Sequence, residues 1–290
     1  MNESLKTDFD GVIPTAWMVA YRRSFTDIPF SKEVFDKLIK TENFTGIDPV
    51  LKKPETAPQF EGRAKIIDKC VLASGNDQVL ELASGYSIRG LEMSRDPDFT
   101  YVELDLPKVI PDKQKIITEI VQEKGLGKMD NLHFEGGNVL NFADLERATS
   151  HFDLSKPITI LNEGLLIYLT MEEKKLLASH IHKILEKSGG VWITTDVSVH
   201  NLDKPTPHTK NIMDLTNKNI IENSFKTSAE VRSFFQSQGF SIEEHTFTEV
   251  AGQINSYKKL EKEQKFKISR KETEKLFQNF ILYVMKPIKK

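Results

Sequence analysis

Residues 78–90 read QVLELASGYSIRG: a short apolar run, a glutamate near its end, and a turn through Ala83, Ser84 and Gly85. A buried strand that turns tightly into a helix is the opening unit of a parallel α/β sheet. It leaves backbone N–H groups at the strand's C-terminal edge, where a ligand can approach. With one glycine, the loop taken alone is equally a generic strand-to-helix connection. Downstream, short apolar runs alternate with helix-sized segments. Strands are expected at 78–82, 100–104, 132–135, 158–161, 191–196, 240–247 and 280–285, with helices at 110–123, 171–187 and 228–238. The helix at 171–187 has Thr170 as N-cap, Glu173 at the capping-box position and a stop at Gly189-Gly190. This order predicts an α/β fold with a doubly wound, seven-stranded, mostly parallel sheet.

Residues 1–62 lack strand alternation. Within them SKEVFDKLIKTENF (31–44) places Val34, Phe35, Leu38 and Ile39 on one helical face, and Pro49, Pro54 and Pro58 break any helix beyond it. An N-terminal helical cap over 1–62 and a sheet domain over 63–290 are therefore expected. Two inserts, at about 198–226 and 251–279, would cover the substrate end of the sheet, the second as a solvated helical hairpin carrying KKLEKEQKFK and RKETEK. Trp17, Tyr21 and Phe25 form an aromatic stripe at helical spacing, read as core packing.

The 290 residues carry a net charge of −2, which gives no basic field for nucleic acid. No apolar run reaches the roughly 18 residues a membrane span needs, and MNESLKTDFDGVIPTAW does not read as a secretory signal, so a cytoplasmic protein is expected. The lone Cys70 allows neither a disulfide framework nor a cysteine-clustered zinc site, and no metal is expected. His133 reads as a packed side chain, and His180 and His182, two apart on a helix, are poor metal ligands. The oligomeric state stays open between monomer and dimer.

About twenty residues beyond the loop, YVELDL places Glu103 and Asp105 near the end of the second strand. Asp105 is the better placed to accept hydrogen bonds from ribose hydroxyls; the alternative is a cap on the turn before Leu106-Pro107. A nicotinamide enzyme and a methyltransferase share these features. In NLHFEGGNVLNFADL, Asn138 stands where an amide meets an adenine edge, beside Val139-Leu140. In ITILNEGLLIYLT, Glu163 ends the fourth strand, where a buried carboxylate needs a cation beside it; a bound sulfonium and ammonium would supply that charge.

Over about residues 59–196 the chain resembles the leucine carboxyl methyltransferase family, which includes O-methyltransferases of polyketide carboxyl groups. The resemblance rests on GRAKIIDKCV, VLELASGYSIRG, VELDLPKVIPDKQKII and NEGLLIYLT, in the family's order. It implies a Rossmann-like methyltransferase fold with S-adenosylmethionine as cofactor. Arg63 would hold the cofactor's carboxylate, and Glu81, Ala83, Gly85, Asp105, Leu106, Asn138, Val139, Glu163 and Gly164 would line its site, with Tyr168 near the methyl group or acceptor. The family's loop usually reads LGAGLDTR; this chain has Ala83 for the first glycine, which a non-positive φ tolerates, and Ser87 for the aspartate. Asn138 stands where the family commonly has aspartate.

Methyl transfer from a sulfonium is an in-line displacement that needs alignment and exclusion of water, and no metal. A carboxylate acceptor is already ionised and needs a cationic clamp, for which Arg22, Arg23, Lys37 and Arg89 are candidates. A hydroxyl acceptor would need a base, with His200 or His208 in place for it. The expectation is an O-methyltransferase acting on a small-molecule, polyketide-like or peptide carboxylate, with Arg22 and Tyr168 at the reaction. A catalytically altered S-adenosylmethionine-binding protein and a nicotinamide-dependent oxidoreductase are the alternatives.

Overall fold

Each expected strand forms, and their burial follows their composition. β1 (Gln78–Leu82), β2 (Thr100–Asp105), β3 (Leu132–Gly136), β4 (Ile158–Asn162), β5 (Gly190–Thr194), β6 (Phe240–Thr246) and β7 (Ile281–Pro287) make one sheet in the order β3-β2-β1-β4-β5-β7-β6. The computed structural model describes residues 9–197, 205–263 and 270–288. β1 and β4, rich in Val, Ile and Leu, are buried throughout, as strands covered on both faces must be. β7 runs antiparallel to both β5 and β6; the other neighbours are parallel. Strand order reverses between β1 and β4, so the crevice beyond their C-terminal ends is where a ligand site belongs.

The helices are α1 (Ile13–Arg23), α2 (Ser31–Leu38), α3 (Ala57–Ser74), α4 (Arg89–Met93), α5 (Ile110–Lys124), α6 (Phe142–Thr149), α7 (Met171–Ser188), α8 (Pro207–Thr216), α9 (Ser228–Ser237), α10 (Ser256–Lys262) and α11 (Arg270–Phe277). The capping box of α7 is present: Thr170 Oγ1 accepts from the Glu173 N–H at 3.2 Å, and the Glu173 carboxylate accepts from the Thr170 N–H at 2.7 Å. β5 stops at Thr194 rather than 196 because the next residues leave the sheet. There the Asp196 carboxylate accepts the backbone N–H groups of Leu165 and Leu166, each at 2.5 Å.

Three features differ from the sequence reading. The 31–44 helix ends at Leu38, leaving Ile39 exposed instead of on the buried face. The expected boundary between 62 and 63 falls inside α3, which runs unbroken from cap to sheet. The 251–279 segment forms two helices, but not a solvated hairpin in its described part. Tyr257, Leu260 and Phe277 are buried, and the Glu61 carboxylate of α3 accepts the N–H groups of Asn255 and Ser256 at 2.9 and 2.8 Å. Residues 198–204 of the first insert, with His200, and 264–269 of the second lie outside the described residues. The aromatic stripe packs as expected: Trp17 lies 5.2 Å from Phe44, and Tyr21 contacts Phe25 and Phe35. Among the described residues no helix is long and apolar enough to cross a membrane.

Gly62 is where α11 locks onto α3. A Cβ there would stand 2.8 Å from the buried Phe277 ring. Glycine-to-alanine in a helix interior normally stabilises by about 1 kcal/mol. Gly62→Ala is expected to destabilise instead, by about 1–3 kcal/mol, as overpacking does. Urea unfolding of the variant checks this, and a gain in stability would refute the packing role.

Candidate active site

After Leu82 the chain turns through two residues in the left-handed region, Ala83 at φ +52° and Gly85 at φ +49°. Ala83 therefore does not adopt the non-positive φ expected of it. It keeps a glycine's conformation at a cost of about 1–2 kcal/mol, and neighbouring bonds hold it there. The Ser84 N–H donates to Leu104 at 3.4 Å, the Ser87 N–H to Ser84 at 3.0 Å, and the Gly85 N–H to Asp105 Oδ2 at 2.5 Å. Asp105 Oδ1 also accepts the Leu106 N–H at 2.6 Å, so this aspartate both caps its turn and faces the crevice. Burial pushes its carboxyl up, against the two N–H donors that favour the charged form.

The Glu163 side chain, just beyond β4, is 5% exposed and carries three guanidinium partners: Arg23 of α1, Arg63 of α3 at 2.6 Å and Arg89 of α4 at 3.1 Å. The sequence reading left this carboxylate for a cationic ligand to neutralise; the protein neutralises it itself. Burial alone would raise its pKa, but the three arginines hold it well below the usual carboxylate range. Arg89 donates further to Glu81 and to Asp68, each at 2.5 Å, and the Tyr101 hydroxyl completes Glu81 at 2.7 Å. Ser87 Oγ accepts from the Arg89 N–H at 3.3 Å and from Arg89 Nη1 at 3.4 Å, and Asp68 is a second carboxylate on the same guanidinium. Neither Asp68 nor the Arg23 pairing carries a signal in sequence spacing.

Of the four clamp candidates, Arg23 and Arg89 are committed to this network, and Lys37 pairs with Glu119 and Glu123 of α5 at 3.1 and 2.5 Å. Arg22 differs. It is 2% exposed, donates to the Leu51 carbonyl at 3.2 Å, lies over the Phe60 ring, and has a buried Nε with no partner among the described residues. Burial, with repulsion from Arg63, lowers its pKa to about 10.

A cavity of about 230 Å³ gathers Arg22, Arg23, Arg63, Glu81, Ala83, Gly85, Asp105, Leu106, Glu163, Gly164 and Tyr168. Burial pushes the Tyr168 phenol up. Asn138 and Val139 are not on its wall: Asn138 Oδ1 accepts the Leu140 N–H at 2.9 Å in a local turn, and Val139 is buried in the core. α1 closes the cavity over the loop, with Ala16 Cβ 3.4 Å from where a Cβ on Gly85 would lie. A second cavity, of about 690 Å³, adjoins the first along Phe60, Arg63, Gly164, Ile167 and His208. His133 stacks on His151, His180 packs on Phe142 and His182 on Phe240, all away from these cavities.

The sequence model of the leucine carboxyl methyltransferase family matches residues 24–182, more than half of the chain. No curated protein matches the chain. A DUF574 family protein from Streptomyces avermitilis shares the fold with a TM-score of 0.56 at 12% identity, over 95% of this chain and 97% of that one. Magnesium protoporphyrin IX methyltransferase from Synechocystis PCC 6803, with bound SAH, aligns at a TM-score of 0.47 and 14% identity, over 90% and 96% of the two chains. An O-methyltransferase family protein from Burkholderia thailandensis aligns at 0.47 and 15% identity over 81% of this chain, which spans 60% of that structure's length.

The geometry yields two expected outcomes. Ala83→Gly relieves a left-handed alanine and is expected to stabilise the protein by about 1 kcal/mol, read as a raised denaturation midpoint; a lowered midpoint would show the turn to be unstrained. Glu163→Gln leaves three buried guanidiniums short of a counter-charge, an expected loss of about 3–5 kcal/mol at pH 7. Because the folded-state pKa of Glu163 lies below its ordinary value of about 4.3, its contribution is present above that pH and lost as pH falls further. Wild type and variant should thus converge in stability in acid, and a gap that stays constant from pH 7 to pH 3 would contradict the assignment.

Proposed function

The chain belongs to the leucine carboxyl methyltransferase family, and from that premise we propose that it transfers a methyl group from S-adenosylmethionine to a carboxylate of a small molecule or peptide. The observation that carries the acceptor assignment is Arg22, a buried guanidinium on the cavity wall with no carboxylate at ion-pair distance among the described residues, Glu55 acting on it only from farther away. A buried charge of this kind is costly until an anion meets it.

The walls suit the cofactor. Ser84 Oγ, Arg22 Nε and Arg23 Nε are buried polar atoms without partners among the described residues. Nothing lies within 4 Å of where a Cβ on Gly164 would be. Asp105 would take the ribose hydroxyls, Arg63 the amino-acid carboxylate, and Glu163 with Gly164 the rest of that end; Glu81, Ala83, Gly85 and Leu106 shape the floor. The cavity is below the roughly 300–1,000 Å³ of small-molecule sites, so α1 has to yield over Gly85 for binding. Asn138 and Val139 are left out of the site. When bound, S-adenosylmethionine supplies an electrophilic methyl group on a sulfonium.

The chain's own task is placement. Arg22 orients an acceptor that is already ionised near neutral pH and needs no base. Tyr168 and α1 wall off water. The nicotinamide reading falls with family membership. The altered-binder reading drew on Ala83 and Ser87; Ala83 keeps the left-handed turn, which supports an intact loop, and methyl release decides between the two readings. Burial pushes the Cys70 thiol up to about 11, which makes it a poor nucleophile, and we propose a cytoplasmic enzyme on the single, unpaired cysteine.

Calorimetry with S-adenosylhomocysteine tests the cofactor, and methyl-ester formation from a panel of carboxylic acids tests the acceptor. Asp105→Ala should weaken cofactor binding by about 1–3 kcal/mol, and Arg22→Met should abolish ester formation. No affinity for S-adenosylhomocysteine, or unchanged turnover in Arg22→Met, would refute the proposal.

A further inference from the structure

The larger cavity adjoins the first at the C-terminal ends of β4 and β5 and reaches the start of β7. Two charged groups of opposite sign, Arg63 and Asp196, stand on its wall, and both are committed. Arg63 donates through Nε to Glu163, with its other N–H groups assigned above to the cofactor's carboxylate, and the Asp196 carboxylate accepts from Leu165, Leu166 and, at 2.8 Å, Asn162 Nδ2. The remaining polar wall groups include Gln59, Thr195 and Ser228, all neutral, and Thr195 Oγ1 is buried without a partner among the described residues. Phe60, Phe247 and Phe280 supply aromatic surface. A second carboxylate or an ammonium brought into this space would be desolvated with no free counter-charge to meet it.

His208, next after the first residue of α8, stands in the wall common to both cavities. Its Nδ1 is buried and has no partner among the described residues. Burial, together with the nearby cations Arg22 and Lys53, pushes its pKa down to about 4, so the ring is neutral near pH 7. A neutral imidazole still offers an N–H to an anion.

Resting on the methyltransferase reading above, we propose that the larger cavity is the acceptor chamber, that it admits monocarboxylates whose remaining body is uncharged and partly aromatic or apolar, and that His208 joins Arg22 in holding the carboxylate at the junction. The chamber thereby selects by charge number: one anionic group is met at the junction, and the body beyond it rests on aromatic rings with Thr195 as a hydrogen-bonding partner.

Isothermal titration of the full chain with 3-phenylpropanoate, phenylsuccinate and 3-phenylpropylamine, with and without saturating S-adenosylhomocysteine, tests this. The monoanion is expected to bind at least tenfold tighter than the dianion or the amine. His208→Phe should weaken it tenfold or more, and His208→Asn, which keeps a donor near the Nδ1 position, should recover most of the loss. Binding of the dianion or amine as tight as that of the monoanion, no binding by any of the three, no effect of His208→Phe, or equal loss in both variants would each overturn the proposal. Absence of S-adenosylhomocysteine binding beside an intact monoanion preference would instead overturn the cofactor assignment and leave the chamber's selectivity standing.

Discussion

The Glu163 carboxylate sits where three separate elements of the chain each deliver a guanidinium: Arg23 from α1, Arg63 from α3 and Arg89 from α4. Arg89 passes the contact on to Glu81 of β1 and Asp68 of α3. Three arginines thus face three carboxylates in a largely buried cluster, which is the condition under which buried charges are tolerated at all. Because the members come from the cap helix, the bridging helix and the ends of two central strands, the cluster fixes the cap against the sheet at the point where strand order reverses.

That placement shapes what the crevice has left for a ligand. With Glu163 already neutralised, two wall charges are left without an ion-pair partner among the described residues: the Arg22 guanidinium, which suits an anion, and the Asp105 carboxylate, which accepts backbone N–H groups. The neighbouring Asp105 contributes differently: it holds the loop through Gly85 and its own turn through Leu106, so the carboxylate proposed for the ribose is positioned before any ligand arrives. Preorganisation of this kind lowers the ordering cost of binding. α1 covers the loop, with its small residue Ala16 over Gly85 and its Arg23 anchored to Glu163.

The two adjoining cavities divide the work by chemistry. The smaller one collects the charged and hydrogen-bonding groups of the glycine loop, β2 and β4; the larger collects neutral polar groups and aromatic rings at β5, β7 and α8. Arg63 and His208 stand between them, so a ligand in either cavity shares a wall with a ligand in the other.

The sequence by itself determined the strands, the helix at 171–187 with its capping box, the switch point and the loop residues of the cavity wall, but not the part of that wall that α1 supplies. These come from local periodicity, caps and the strand-loop-helix order, which need only neighbouring residues to be read. Tertiary structure alone decided which charges meet. Arg23 and Glu163 are 140 positions apart, and Arg63 and Glu163 are 100 apart, so no local pattern marks them as partners. The same holds for Asp68 meeting Arg89 and for α3 running through the expected domain boundary. Ala83 shows the difference in one residue: its identity argued against a left-handed turn, and the bonds from Gly85 to Asp105 and from Ser84 to Leu104 imposed one.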